Sequence, residues 1–102
     1  MIDSEKIESL INERKMLLSD DPRIGEIWEE LTQIFSQDEK LTIEYLNNCP
    51  ESQLEWISEV FEDISENLQS EYFIDTLEKL QNKFPDLDLE VDISYAKEAL
   101  KN

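Results

Sequence analysis

The sequence predicts an all-α fold: a compact bundle or stacked helical hairpins of about five to six short helices, with an extended strap near residues 86–92. Three observations carry that prediction. Apolar residues recur three and four positions apart through most of the chain. Clusters of Pro, Ser, Asp and Asn cut it into helix-sized pieces, and the only period-two alternation, at residues 87–93, has no second strand to pair with. With 102 residues and no Pro/Gly/Ser linker, the chain reads as one domain over 1–102.

The first helix is expected over Ser4–Leu18, capped by Asp3 or Ser4, with Ile7, Leu10, Ile11, Leu17 and Leu18 turned inward. Ser19-Asp20-Asp21-Pro22 ends it. Pro22 suits the first position of a second helix, because it lacks the amide proton that would go unbonded there, and Asp21 can cap. Ile24, Ile27, Trp28, Leu31, Ile34 and Phe35 then form one apolar stripe with Trp28 at its middle, so Trp28 is expected in the core. A third helix follows Asp38, carries Leu41, Ile43, Tyr45 and Leu46, and stops near Asn47-Asn48-Cys49-Pro50, since the residue before proline disfavours helical torsions. Ser52 and Glu55 have the spacing of a capping box, which marks a fourth helix burying Leu54, Ile57, Val60, Phe61, Ile64 and Leu68. Ser70 caps a fifth, with Phe73, Leu77, Leu80 and Phe84 inward, and Pro85 closes it. The alternating segment Leu87–Ile93 is read as the strap, followed by a last helix near Ser94–Leu100 that could begin as early as Glu90.

Composition removes much of the functional menu. There are 26 Asp and Glu against 9 Lys and Arg, a formal charge of −17, and no histidine. Without histidine there is no imidazole base, no Ser-His or Cys-His nucleophile and no histidine metal ligand. A lone glycine cannot build a phosphate-cradling loop. So negative a chain repels nucleic acid, so DNA and RNA are not expected partners, and no segment has the apolar length to span a bilayer. The start lacks the order of a signal peptide, and the single Cys49, read as an apolar filler, suits a reducing cytoplasm. Asp86, Asp88, Glu90 and Asp92 resemble the start of a calcium loop, but Val91 and Lys97 stand where that loop needs glycine and glutamate. No enzyme, cofactor or metal is therefore expected.

The charge is unevenly spread. Between Lys40 and Lys79 the sequence carries ten acids and no base. At about 100° per residue, the fourth helix places Glu55, Glu59, Glu62, Asp63 and Glu66 on one face opposite its apolar stripe. Like charges at these spacings destabilise a helix by about 0.2–0.5 kcal/mol per pair, which solubility alone does not require. That face is the candidate docking surface for a basic protein, with Trp56 at its border either as an interface anchor or packed within the domain. On this reading, reversing Glu59 and Asp63 to Lys slows association without unfolding the domain.

The runs LTIEYLNNCPESQLEWISEVFEDIS (41–65) and EYFIDTLEKLQNKFPDLDLEVDISYAKEAL (71–100) resemble a helical family of immunity proteins from contact-dependent growth inhibition and related polymorphic-toxin systems. The resemblance is one of overall texture, and no catalytic signature anchors it. It implies a bacterial, cytoplasmic toxin inhibitor that binds a toxin domain, in many such systems a nuclease with a basic substrate groove. The alternative is an acidic helical adaptor that contacts a basic housekeeping protein.

Overall fold

A computed structural model describes residues 2–101, and among them the regular structure is all helical, with no strand. The elements are α1 (Ser4–Met16), α2 (Arg23–Phe35), α3 (Glu39–Asn48), α4 (Glu51–Ile57), a 3₁₀ turn (Ser58–Val60), α5 (Phe61–Leu68), α6 (Glu71–Lys83) and α7 (Glu90–Glu98). Helix α5 is the hub: it packs on α7, on α2 and on α6. Helix α1 lies against α2 and α4, while α3 and α7 both pack on α6. The result is a bundle of short helices around one apolar cluster, the all-α architecture expected from the spacing.

Side-chain caps form at three helix starts, those of Asp3 and Ser70 as expected and that of Asp38 in addition. Asp3 accepts the Lys6 amide at 3.0 Å, Asp38 accepts that of Leu41 at 2.9 Å, and Ser70 accepts that of Phe73 at 3.1 Å. Pro22 already has helical torsions (φ −63°, ψ −18°), and Asp21 behind it accepts the Arg23 amide at 2.9 Å. The Arg23 guanidinium bonds the same carboxylate, lowering the Asp21 pKa to about 2. Phe35, Phe61 and Phe73 are fully buried, Phe61 and Phe73 edge to face at 6.3 Å. Cys49 sits buried among these apolar side chains, and burial pushes its thiol up to about 11.

Four local expectations are corrected. Helix α1 stops at Met16 because Leu17 turns to extended torsions (φ −94°, ψ 144°), which leaves Leu18 77% exposed rather than inward. The capping box at Ser52 and Glu55 does not form. Pro50 is extended, and its carbonyl accepts the amides of Gln53 and Leu54, so the helix starts at Glu51 and Ser52 falls inside it.

The fourth helix is not continuous. The Ser58 hydroxyl donates to the Glu55 carbonyl at 2.6 Å, a back-bond that bends helices, and Val60 leaves helical torsions (φ −115°, ψ 11°). Helix α5 therefore starts anew at Phe61, and a single helical wheel no longer describes residues 55–66.

Helix α7 begins at Glu90, the early start the sequence left open, so the strap is shorter than residues 86–92. Leu89, Ile93 and Ala96, at helical spacing, are the buried set, whereas Val91 from the alternating pattern is 58% exposed. The linking segment is a turn pinned by Gln81, which donates to the Leu87 carbonyl at 2.7 Å and accepts the Leu89 amide at 2.9 Å.

The far end of α5 is tied to α7 by Gln69, which takes left-handed torsions (φ 48°, ψ 52°) at the helix terminus. Its side chain donates to the Ala99 carbonyl at 2.8 Å and accepts the Lys101 amide at 2.9 Å. Ser65 adds a buried bond to the Ala96 carbonyl at 2.6 Å. The break after α4 and these ties together fix which face of α5 is presented to α2.

Candidate docking face

Four of the five expected carboxylates stand in solvent, and one does not. Glu55, Glu62, Asp63 and Glu66 are exposed, while the Glu59 side chain keeps 25% of its surface. Arg14 of α1 reaches across to Glu59 with a two-pronged bond, Nε to Oε1 and a terminal guanidinium nitrogen to Oε2, both 2.8 Å. The Trp28 indole N–H from α2 donates to the same Oε1 at 3.0 Å. The guanidinium also lies 5.1 Å from the Trp56 ring centre, within cation–π range. Both tryptophans, one of the two arginines and one carboxylate thus converge from three helices and the 3₁₀ turn into a single clasp.

The clasp corrects two assignments made from the sequence. Glu59 is spent on Arg14 and carries no free charge toward a partner, so its reversal to Lys would set two cations together and disturb the fold. Trp28 is not core. It is 37% exposed at the edge of the α2 stripe, where its N–H finds the acceptor an indole requires. Trp56, whose role was open, is partly buried, packed on the core and under the Arg14 guanidinium.

Asp63 and Glu66 face a groove of about 440 Å³ between α2 and α5, lined also by Gly25, Trp28, Glu29, Thr32, Gln33 and Asn67. None of Glu29, Asp63 and Glu66 forms an ion pair among the described residues. Glu55 and Glu62 are exposed outside this groove. The structure therefore divides the expected face into a groove-lining pair, an internal clasp and two flanking carboxylates.

Two residues of the groove carry a stability cost that packing does not explain. Gly25 lies within α2, where glycine costs about 0.5–1 kcal/mol relative to alanine, yet a Cβ there would meet nothing within 4 Å. Thr32 Oγ1 is shielded from solvent without a hydrogen-bond partner, whereas Thr76, also in a helix, back-bonds to the Tyr72 carbonyl at 2.9 Å. A buried unpaired hydroxyl costs about 1–3 kcal/mol.

Asp92, in the first turn of α7, is half-buried. Burial raises its pKa, and the carboxylates of Asp88 and Glu59 add to that rise against a lowering contribution from the Ser58 hydroxyl.

Sequence reasoning missed Arg14, Trp28, Glu29, Thr32 and Asp92. A signal for Arg14 was present: with Ile7, Leu10, Ile11 and Leu17 it shares the inward stripe of α1, and a charge on such a stripe needs a buried partner. The indole N–H of Trp28 posed the same question.

Among the described residues, no group of three or more His, Cys, Asp or Glu is arranged to hold a metal ion, and no helix is long and apolar enough to cross a membrane. No family model, no curated protein and no solved structure matches the chain.

Proposed function

We propose that this chain is a non-catalytic binding protein that docks a basic protein on its α2–α5 face, and that it serves as a cytoplasmic immunity protein neutralising a toxin domain. The observation that carries the docking reading is the set of unpaired carboxylates Glu29, Asp63 and Glu66 around a partly exposed, hydrogen-bonded Trp28. An aromatic anchor held in one orientation loses little freedom on binding, and tryptophan is among the residues that dominate interface energetics. A concentrated negative field accelerates encounter with a cationic surface and rejects anionic ones, nucleic acid included. The toxin itself is supplied by the resemblance of residues 41–65 and 71–100 to immunity proteins.

In this mechanism the clasp acts as scaffold and the groove as contact. Arg14 neutralises the partly buried Glu59 carboxylate, while Asp63 and Glu66 stay exposed at the groove. A nuclease toxin, whose groove must attract phosphate, presents the complementary surface, and the inhibitor excludes substrate by occupying it.

The test is co-expression with the toxic C-terminal domain of a large secreted protein encoded beside this chain's gene, scored by survival. The wild-type chain should rescue growth, and the double reversal Asp63→Lys/Glu66→Lys should abolish rescue while leaving the circular dichroism spectrum intact. Equal rescue by the reversed variant would remove this face. A growth defect on deletion in cells that carry no toxin would favour the adaptor reading.

A further inference from the structure

We infer that the face formed by α3 and α6 is a contact between two copies of this chain, related by a two-fold axis. A groove of about 730 Å³ runs between these helices, larger than the α2–α5 groove and sharing no residue with it. Tyr72 lines it with 72% of its surface in solvent, the most exposed aromatic residue among those described. Ile43 lines the same groove and is half-buried. An open aromatic ring next to an apolar floor is the composition of an interface centre.

Charge identifies the occupant. A chain of net charge −17 repels its own copy over most of its surface, and ten acids without a base lie between Lys40 and Lys79 in the sequence. The packing of α3 on α6 brings those two lysines into one groove. Both are exposed, and neither forms an ion pair among the described residues. Glu39, Glu44 and Asp75 line the groove with them and are likewise unpaired. A two-fold contact lays a patch on itself, so the patch must carry both signs of charge. The α3–α6 groove does, and the α2–α5 groove, with three carboxylates and no base, does not. A purely cationic partner would meet Lys40 and Lys79, and a purely anionic one would meet three carboxylates. A second copy sets the lysines of each chain against the carboxylates of the other and covers both Tyr72 rings.

The test is sedimentation equilibrium of the full chain at 0.15 M salt, where the Debye length of about 8 Å screens the overall repulsion but not pairs in contact. The expected result is a concentration-dependent rise from 12.1 kDa to twice that mass. Tyr72→Asp should weaken the dimer at least ten-fold. Lys40→Glu/Lys79→Glu and Glu44→Lys/Asp75→Lys should each be monomeric alone, whereas an equimolar mixture of the two should recover a dimer, which also shows that both variants are folded. A wild-type chain that stays at 12.1 kDa up to about 0.5 mM overturns the inference. A dimer that Tyr72→Asp leaves unchanged, or two charge variants that fail to associate when mixed, overturns it equally. The α2–α5 docking face is judged separately, by toxin rescue.

Discussion

Removing Arg14 should cost this fold far more than a surface ion pair does, and the clasp geometry sets the size of the effect. Arg14→Met keeps the aliphatic stem but removes two 2.8 Å charge-assisted bonds and the contact with Trp56. Glu59, with 25% of its side chain exposed, is left facing only the Trp28 N–H at 3.0 Å. Stranding a fully buried charge costs about 3–5 kcal/mol, and an exposed pair contributes about 0.2–1. The residual exposure of Glu59 places Arg14→Met between them, at about 2–3 kcal/mol. Glu59→Gln preserves shape and an acceptor for Trp28, so its loss should be about 1–2 kcal/mol. The double variant removes both charges together and should lose no more than about 1 kcal/mol, giving a coupling energy of at least about 2 kcal/mol. Urea unfolding followed by circular dichroism measures this directly. With a slope of about 1–1.5 kcal/mol/M, the Arg14→Met midpoint should fall by roughly 1.3–3 M. A coupling energy below about 0.5 kcal/mol would reduce the clasp to an ordinary surface contact and refute the reasoning.

Thr32→Val keeps the side-chain shape and deletes the unpartnered hydroxyl, so thermal unfolding should show a gain of about 1 kcal/mol, and a loss would mean the hydroxyl is bonded after all. Asp92 has its pKa raised above the ordinary 3.8, so the folded state holds its proton more tightly than the unfolded chain does. Its ionised form therefore subtracts stability at neutral pH, and the subtraction fades as pH falls through that range. Asp92→Asn should be more stable than wild type at pH 7 and indistinguishable from it below pH 3.8 in denaturant titrations, and an advantage that grows on acidification would contradict the sign. Cys49, buried and with its thiol pushed up to about 11, should resist iodoacetamide at pH 8 and react only as urea unfolds the chain. Free-thiol reactivity in the native state would contradict that placement.

The fold was legible in the sequence wherever one periodicity acted alone. Asp3 and Ser70 cap as their positions suggest, and Phe73, Leu77 and Leu80 are buried at the spacing that predicts them. Legibility failed where two patterns overlapped. Leu87, Leu89, Val91 and Ile93 alternate, but Leu89, Ile93 and Ala96 also have helical spacing, and packing on α5 and α6 selects the helix. The break at Ser58–Val60 has no sequence punctuation at all, neither glycine nor proline, and it is this break that invalidates one wheel for Glu55, Glu59, Glu62, Asp63 and Glu66. The acidic character of the site could be read from the gap between Lys40 and Lys79. Its centre could not, because Arg14, Trp28 and Glu59 meet only through tertiary packing, across separations of 31 and 45 residues.

The most direct measurement is the association rate of this chain with its basic partner at 50 and 200 mM salt, for wild type and for Asp63→Asn/Glu66→Gln. If the α2–α5 face docks the partner, the wild-type rate falls steeply with salt, and the variant associates at least ten-fold more slowly at low salt with a much flatter dependence. Identical rates and salt dependence for the two proteins would show that the partner binds elsewhere.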